Sequence, residues 1–332
     1  MKMKKVRAMD LNISAVGLGC WAFSGENQWD DYDDSMSIQT IHQALDLGIN
    51  FFDVAPVYGL GHAEKVLGQA LKERNVNRAD VIIASKVGLV WDAENRVTNN
   101  LTKESIMKEI DDSLERLQTD YIDLYQIHWP DPNTPIQETM LALNEVQKSG
   151  KIKYIGVSNF SLALTKEAMQ YAEVASFQGL YNMIERNPSE YHTIPLGYRA
   201  ADEILPLCEK EGMAFLPYSP LFQGLLTGSF TRTNNFSDQD VRANNPKLSG
   251  DRFDAYYELV EELKAFSDEI GKPLNQVAMN WLIQQDAVTS VICGAQTPEQ
   301  MVSNAKAVEW ALTAEQMNQL NAMVEKSGLH LE

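Results

Sequence analysis

The segment INFFDVAPVYG sets a carboxylate, Asp53, near the end of an apolar run and a phenol, Tyr58, five residues beyond it. Other short apolar runs also end in side chains that carry chemistry. Lys86 closes IIASK, His128 closes DLYQIH, and Ser158 and Asn159 close IGVSN. Gln178 ends the run in ASFQGLY, and Tyr218 and Ser219 follow MAFLP. Taken singly, each has an ordinary reading: a capping aspartate, a surface lysine, a core histidine, a packing tyrosine. A carboxylate, an ammonium, a phenol and an imidazole brought together could instead hold and move a proton. What argues for the second reading is their recurrence at the ends of successive runs.

The elements that must position them alternate in a regular way. Strand-like runs SAVGLGC, INFFDVA, VIIASK, YIDLYQIH, KYIGVSN, ASFQGLY, MAFLPYSP and TSVICG are each followed by a segment with helical spacing. Helix boundaries are marked by side chains suited to them. In LTKESI, Thr102 is a candidate N-cap and Leu101 can pack on Ile106; in TPEQ, Thr297 is the cap, Pro298 the first helical residue and Gln300 the closing member of a capping box. Eight strand-then-helix units without a composition break predict a (β/α)8 TIM barrel, an α/β fold in one domain spanning residues 1–332. The alternative is a doubly wound sheet with a second domain. In a barrel the C-terminal strand ends share one mouth, where chemistry gathers. Asp53, Lys86, His128, Ser158, Asn159, Gln178, Tyr218 and Ser219 would then face one another.

The totals exclude several function classes. A chain of 332 residues with a net charge of −18 lacks the basic surface that nucleic-acid binding needs. No run approaches the ~20 apolar residues of a membrane span. The opening MKMKKVRAMD is basic, but the apolar run after it is broken by Asn12, Ser14, Gly17 and Gly19 and no small-x-small pattern follows, so no signal peptide is expected. Three widely spaced cysteines, Cys20, Cys208 and Cys293, form neither a disulfide framework nor a metal spacing. No metal is expected, and a reduced, cytoplasmic protein is. GLGCWA fits a loose dinucleotide pattern, but no helix opens at its second glycine; Gly17 and Gly19 read as a strand end near the barrel mouth. The N-x-S/T triplets at Asn12, Asn100, Asn159 and Asn235 read as chance matches, and His62 as a solvated loop residue.

With these pieces in order, the sequence resembles the aldo-keto reductases along nearly its whole length. The matching blocks are NFFDVAPVYGLGHAEKVLGQAL, IIASKVG, TDYIDLYQIHWPD, GKIKYIGVSNF, LPYSPLFQGLLTG and VICGAQTPEQMVSNAKAV. Within the family it looks most like the bacterial inositol-operon and general-stress reductases. The resemblance implies a (β/α)8 barrel and a catalytic set at Asp53, Tyr58, Lys86 and His128. It implies NADP(H) or NAD(H), with the nicotinamide amide held by Ser158, Asn159 and Gln178 and its ring against Tyr218. Pyrophosphate contacts fall on Ser219, Leu221, Gly224 and Leu226, and adenosine contacts on Gly294, Ala295, Gln296, Thr297, Gln300 and Asn304.

The chemistry suits those residue types. A free tyrosine gives up its proton only near pH ~10, and a neighbouring ammonium favours the phenolate. Lys86, fixed by Asp53, would lower the Tyr58 pKa; Tyr58 would be the acid in reduction and the base in oxidation, with His128 orienting the carbonyl. Trp21, Trp91 and Trp129 are expected to line the substrate pocket, with Trp29 and Phe222 as further aromatic candidates. The loops around 184–199 and after Leu226 are candidates to cover the site. The expected partner is a small carbonyl or alcohol. The alternative is a cofactor-binding regulatory or redox-sensing subunit with little turnover, as in the family's channel-associated members. NADP-preferring members carry a basic residue just after strand eight; GAQTPEQ has none, so NADH is expected to be usable.

Overall fold

In the computed structural model, which describes residues 1–25, 29, 32–234 and 236–331, eight strands form one parallel sheet. They are β1 (Val16–Gly19), β2 (Phe51–Asp53), β3 (Ile82–Val87), β4 (Ile122–Ile127), β5 (Ile152–Ser158), β6 (Ser176–Leu180), β7 (Ala214–Tyr218) and β8 (Val291–Gly294). Sequential strands are neighbours, and β8 pairs with β1. A parallel bridge between Phe215 and Val288, with Thr289 N donating to Phe215 O at 2.9 Å, closes the ring between β7 and β8. The fold is the (β/α)8 barrel expected. Asn235 lies outside the described residues.

The helices are α1 (Asp34–Asp46), α2 (His62–Glu73), α3 (Lys103–Leu117), α4 (Ile136–Lys148), α5 (Leu162–Ala168), α6 (Leu205–Glu211), α7 (Gly250–Glu269), α8 (Leu274–Ile283), α9 (Pro298–Ala305) and α10 (Ala314–Ser327). Thr102 caps α3 by accepting from Ser105 N, and Leu101 and Ile106 both bury in the core. Thr297 caps α9, but the expected capping box is not formed: the Gln300 side chain accepts from Gln296 N, one residue ahead of the cap. A complete box occurs instead in α10, between Thr313 and Gln316. Helices α8 and α10 lie outside the eight expected units.

Strand alternation aims the site residues inward. Side chains along a strand point to opposite faces. Phe51, Ile82, Ala84, Leu124, Ala214 and Leu216 share the interior cluster, joined by Val6, Met9 and Ile13 of the N-terminal segment, whose hairpin (Met3–Lys5, Asn12–Ser14) brings them there. Phe52, Ile83, Tyr125 and Phe215 join the other cluster, between the sheet and the helices. Two positions above Phe51, Ala84 and Leu124 come Asp53, Lys86 and Gln126, so all three fall on the interior by period alone. Gly17 lets β1 approach β2, since a Cβ there would meet Phe51 at 2.4 Å.

Candidate active site

Lys86 is the hub. Its Nζ donates to Asp53 Oδ1 at 2.7 Å, to Val54 O at 3.1 Å and to Tyr58 Oη at 3.2 Å. Lys86 is fully buried and Asp53 2 % exposed, so the ion pair is shielded from solvent. Such a pair keeps its strength only if its remaining polar atoms are satisfied. They are: Asp53 Oδ2 accepts from Gln178 Nε2 at 2.7 Å and from Gln126 Nε2 at 3.4 Å. The His128 ring stands edge-on to Tyr58, 5.8 Å between centroids and 83° between planes. β2, β3 and β4 and the turns that follow them thus bring the four expected catalytic side chains together.

Burial dominates the electrostatics of the site. Burial, reinforced by Asp53 and Cys20, pushes the Tyr58 phenol well above its ordinary value. Loss of solvent around the phenol outweighs the lowering that the Lys86 ammonium, 3.2 Å from Tyr58 Oη, works in the other direction. Burial, with Lys86 adding to it, holds the His128 imidazole well below its ordinary value. At neutral pH the site therefore presents a phenol that carries its proton and an uncharged imidazole.

A cleft of ≈ 710 Å³ opens from these residues and reaches the N-terminal end of α9. That falls in the ~300–1,000 Å³ range of small-molecule and cofactor sites. Asp53, Tyr58, His128, Ser158, Asn159, Gln178, Tyr218, Ser219, Leu221, Gly224, Gly294, Ala295, Gln296, Gln300 and Asn304 all line it. Asn159 is fixed on both ends: Nδ2 donates to His128 O at 3.1 Å, and Oδ1 accepts from Tyr218 Oη at 3.0 Å. Asn159 and Ser219 take left-handed φ values of 60° and 52°, a conformation short polar side chains tolerate best. A long cleft with amide and hydroxyl groups at one end and a tyrosine ring beside them fits an elongated dinucleotide.

Two of the nucleotide candidates do not reach the cleft. Leu226 is fully buried in the core, and Thr297 uses its hydroxyl to cap α9. Among the tryptophans, Trp21, Trp29 and Trp129 line the cleft; Trp21 lies 5.2 Å from Trp29 and 6.1 Å from Tyr58, ring to ring. Trp91 does not, because the hairpin Leu89–Trp91/Val97–Asn99 carries it past the wall that Leu89 forms. Phe222 turns away to pack on Tyr256 at 5.1 Å. His62 is no loop residue: it opens α2 and bonds Asp34 at 2.8 Å and Tyr32 at 3.0 Å.

Both segments expected to cover the site contribute lining residues, though neither Tyr191 nor Arg242 was singled out in the sequence. Tyr191 comes from a short hairpin in the segment 184–199, and its ring meets Tyr218 at 5.3 Å. Arg242 comes from the long stretch after β7 and is the one lysine or arginine lining the cleft among the described residues. It is held by the buried Asp240 through Nε at 2.8 Å and lies over the Trp29 ring at 5.4 Å. That contact joins the segment after β7 to the segment after β1 across the cleft.

The aldo/keto reductase family matches residues 15–325. The chain is 35% identical over 328 residues to aldo-keto reductase YhdN of Bacillus subtilis, covering 98% of this chain and 95% of that protein. It is 33% identical over 338 residues to an NADH-specific methylglyoxal reductase of Escherichia coli (98% and 99% covered). It is also 33% identical over 329 residues to a probable voltage-gated potassium channel subunit beta of Oryza sativa (98% and 97%). The structure of the glycerol dehydrogenase AKR11B4 from Gluconobacter oxydans superposes with a TM-score of 0.85 at 35% identity, covering 98% of this chain and 95% of that one. With barrel, cleft and buried lysine hub in place, the chain belongs to the aldo-keto reductase family and is a carbonyl–alcohol oxidoreductase.

Proposed function

We propose that this protein, acting as one domain over residues 1–332, interconverts a small aldehyde, ketone or sugar-like carbonyl and its alcohol with NADP(H) or NAD(H) in the cleft. The observation that carries this reading is the Lys86 ammonium set between Asp53 and the Tyr58 hydroxyl, with His128 beside them. The bound dinucleotide supplies or accepts the hydride. Tyr58 Oη gives its proton to the carbonyl oxygen as charge develops there, and takes one back in oxidation. Lys86 stabilises the phenolate left behind, and Asp53 holds Lys86 in place. His128 is neutral and hydrogen-bonds the same oxygen, fixing which face of the carbonyl is presented.

Ser158, Asn159 and Gln178 would hold the carboxamide end, and Tyr218 would cover one ring face. Ser219, Leu221 and Gly224 would take the pyrophosphate, and Gly294, Ala295, Gln296, Gln300 and Asn304 the adenosine. Trp21, Trp29 and Trp129 would form an aromatic substrate wall. The first turn of α9 holds Glu299 and no cation, and the Gln300 side-chain oxygen accepts from Gln296 N. Arg242 is ion-paired with the buried Asp240. The preference for NADPH is therefore weak and NADH is usable, a reading supported by the NADH-specific relative. Three free, buried cysteines favour a cytoplasmic setting.

The potassium-channel relative favours a second reading, a cofactor-retaining sensor. Steady-state consumption of NADH and NADPH with para-nitrobenzaldehyde, methylglyoxal and glyceraldehyde separates the two. Sustained turnover, with cofactor exchange faster than chemistry, is expected. Tight retention of cofactor without turnover on any carbonyl would favour the sensor.

A further inference from the structure

Beside the Asp53–Lys86 pair lies a buried polar cluster that the mechanism above does not use. Lys86 of β3 is in register with Gln126 of β4, Gln126 with Gly156 of β5, and Gly156 with Ser176 of β6. Gln126 and Ser176 are both fully buried. Gln126 Nε2 points at Asp53 Oδ2 at 3.4 Å, and its Oε1 accepts from Ser176 Oγ at 3.4 Å. Gly156 makes room for both side chains: a Cβ there would meet Ser176 Oγ at 2.2 Å and Gln126 Cγ at 2.9 Å. A glycine in a central strand weakens it unless something needs the space. A buried amide with both ends engaged, in space that a neighbouring glycine leaves, is an arrangement built for that amide.

We propose that Gln126 is a positioning residue for the proton transfer. It acts through Asp53 and touches neither substrate nor cofactor. The Asp53 carboxylate has two oxygens with separate tasks. Oδ1 holds Lys86, and Oδ2 is held by Gln178 at 2.7 Å and Gln126 at 3.4 Å. Gln178 lines the cleft, so its bond to Asp53 competes with whatever enters. Gln126 does not line the cleft, and its hold is independent of what fills it. With Oδ2 held by Gln126, Oδ1 stays on Lys86 and Lys86 stays on Tyr58. Asp53 also raises the Tyr58 pKa, so a donor on Oδ2 that draws off carboxylate charge makes the phenol a better acid.

The inference rests on the proposed role of Tyr58, so the experiment carries Tyr58→Phe as a control beside Gln126→Leu and Gln126→Glu. For Gln126→Leu, a fall in kcat of about tenfold is expected from loss of one hydrogen bond to a charged group. KM for the carbonyl and affinity for NADH should stay within about twofold. The pH–rate profile for alcohol oxidation should shift to higher pH, because the Asp53 charge acts on Tyr58 less shielded. Gln126→Glu should be more impaired at neutral pH, where two carboxylates face each other. It should recover as pH falls, because the protonated carboxyl donates to Oδ2 as the amide did. Equal kcat and an unshifted profile in Gln126→Leu would overturn the inference, as would a Gln126→Glu variant with no recovery in acid. Should Gln126→Leu not fold, the acid recovery of Gln126→Glu decides alone. An active Tyr58→Phe would overturn the underlying reading, whereas an inactive Tyr58→Phe beside an unaffected Gln126→Leu would remove only Gln126.

Discussion

The two ends of the cleft are built differently. At the chemical end, Asp53 and Lys86 are buried, and the Lys86 ammonium and both Asp53 oxygens have partners within the site. At the adenosine end, Gln296 and Gln300 lie on a loop and a helix start, partly or fully open to solvent, and the Gln300 amide serves a turn. In a buried site of low polarisability a misplaced charge is expensive, so geometry and charge are tightly fixed. At an exposed site the same change costs little. The chemistry should therefore be brittle to substitution and the choice of nucleotide pliable.

The sharpest way to break that contrast is Lys86→Met. The phenol loses the ammonium in contact with it, and its pKa, already raised, should rise further. Oxidation at neutral pH should fall by about 10²–10⁴-fold, with partial recovery at alkaline pH, read from a pH–rate profile. A profile without alkaline recovery would remove the lysine from proton transfer while leaving it a structural role.

At the other end, Gln296→Arg places a cation beside the first turn of α9. One charged hydrogen bond contributes about 1.5–3 kcal/mol, so NADPH affinity should rise by roughly tenfold or more while NADH affinity changes little. Fluorescence titration of both reduced cofactors at one fixed salt concentration measures it. If the wild-type chain already binds NADPH more than about a hundredfold tighter than NADH, Arg242 or another group reads the phosphate. The contrast between the two ends would then fail.

Legibility in the sequence follows the same division. The barrel showed in the alternation of apolar runs and helical spacing, and the catalytic set in side chains that close those runs. Period-2 alternation is rigid, so Asp53 and Lys86 had little freedom to point elsewhere. Trp91 follows the end of β3 as Trp129 follows that of β4. Nothing in the sequence near Trp91 announced the hairpin that carries it away. Leu226 and Thr297 sit in segments matched to the family, yet Leu226 turned into the core and Thr297 kept to the helix cap that TPEQ had announced; a match places the backbone, and side-chain competition decides the contact. Arg242 and Tyr191 reach the cleft across long connections whose path depends on tertiary contacts such as Arg242 over Trp29. Helix α8 is buried along its whole length, so it shows none of the polar–apolar alternation that marks a surface helix.

The central claim is that Tyr58 is the proton donor, and single-turnover reduction by Tyr58→Phe tests it most directly. Wild type and variant are loaded with reduced cofactor, mixed with saturating aldehyde, and followed by loss of nicotinamide absorbance in one turnover. The account predicts unchanged cofactor affinity and a hydride-transfer rate lower by about 10²–10⁴-fold. A variant that keeps more than about half the wild-type single-turnover rate would contradict it, and the proton would have to come from His128 or from water.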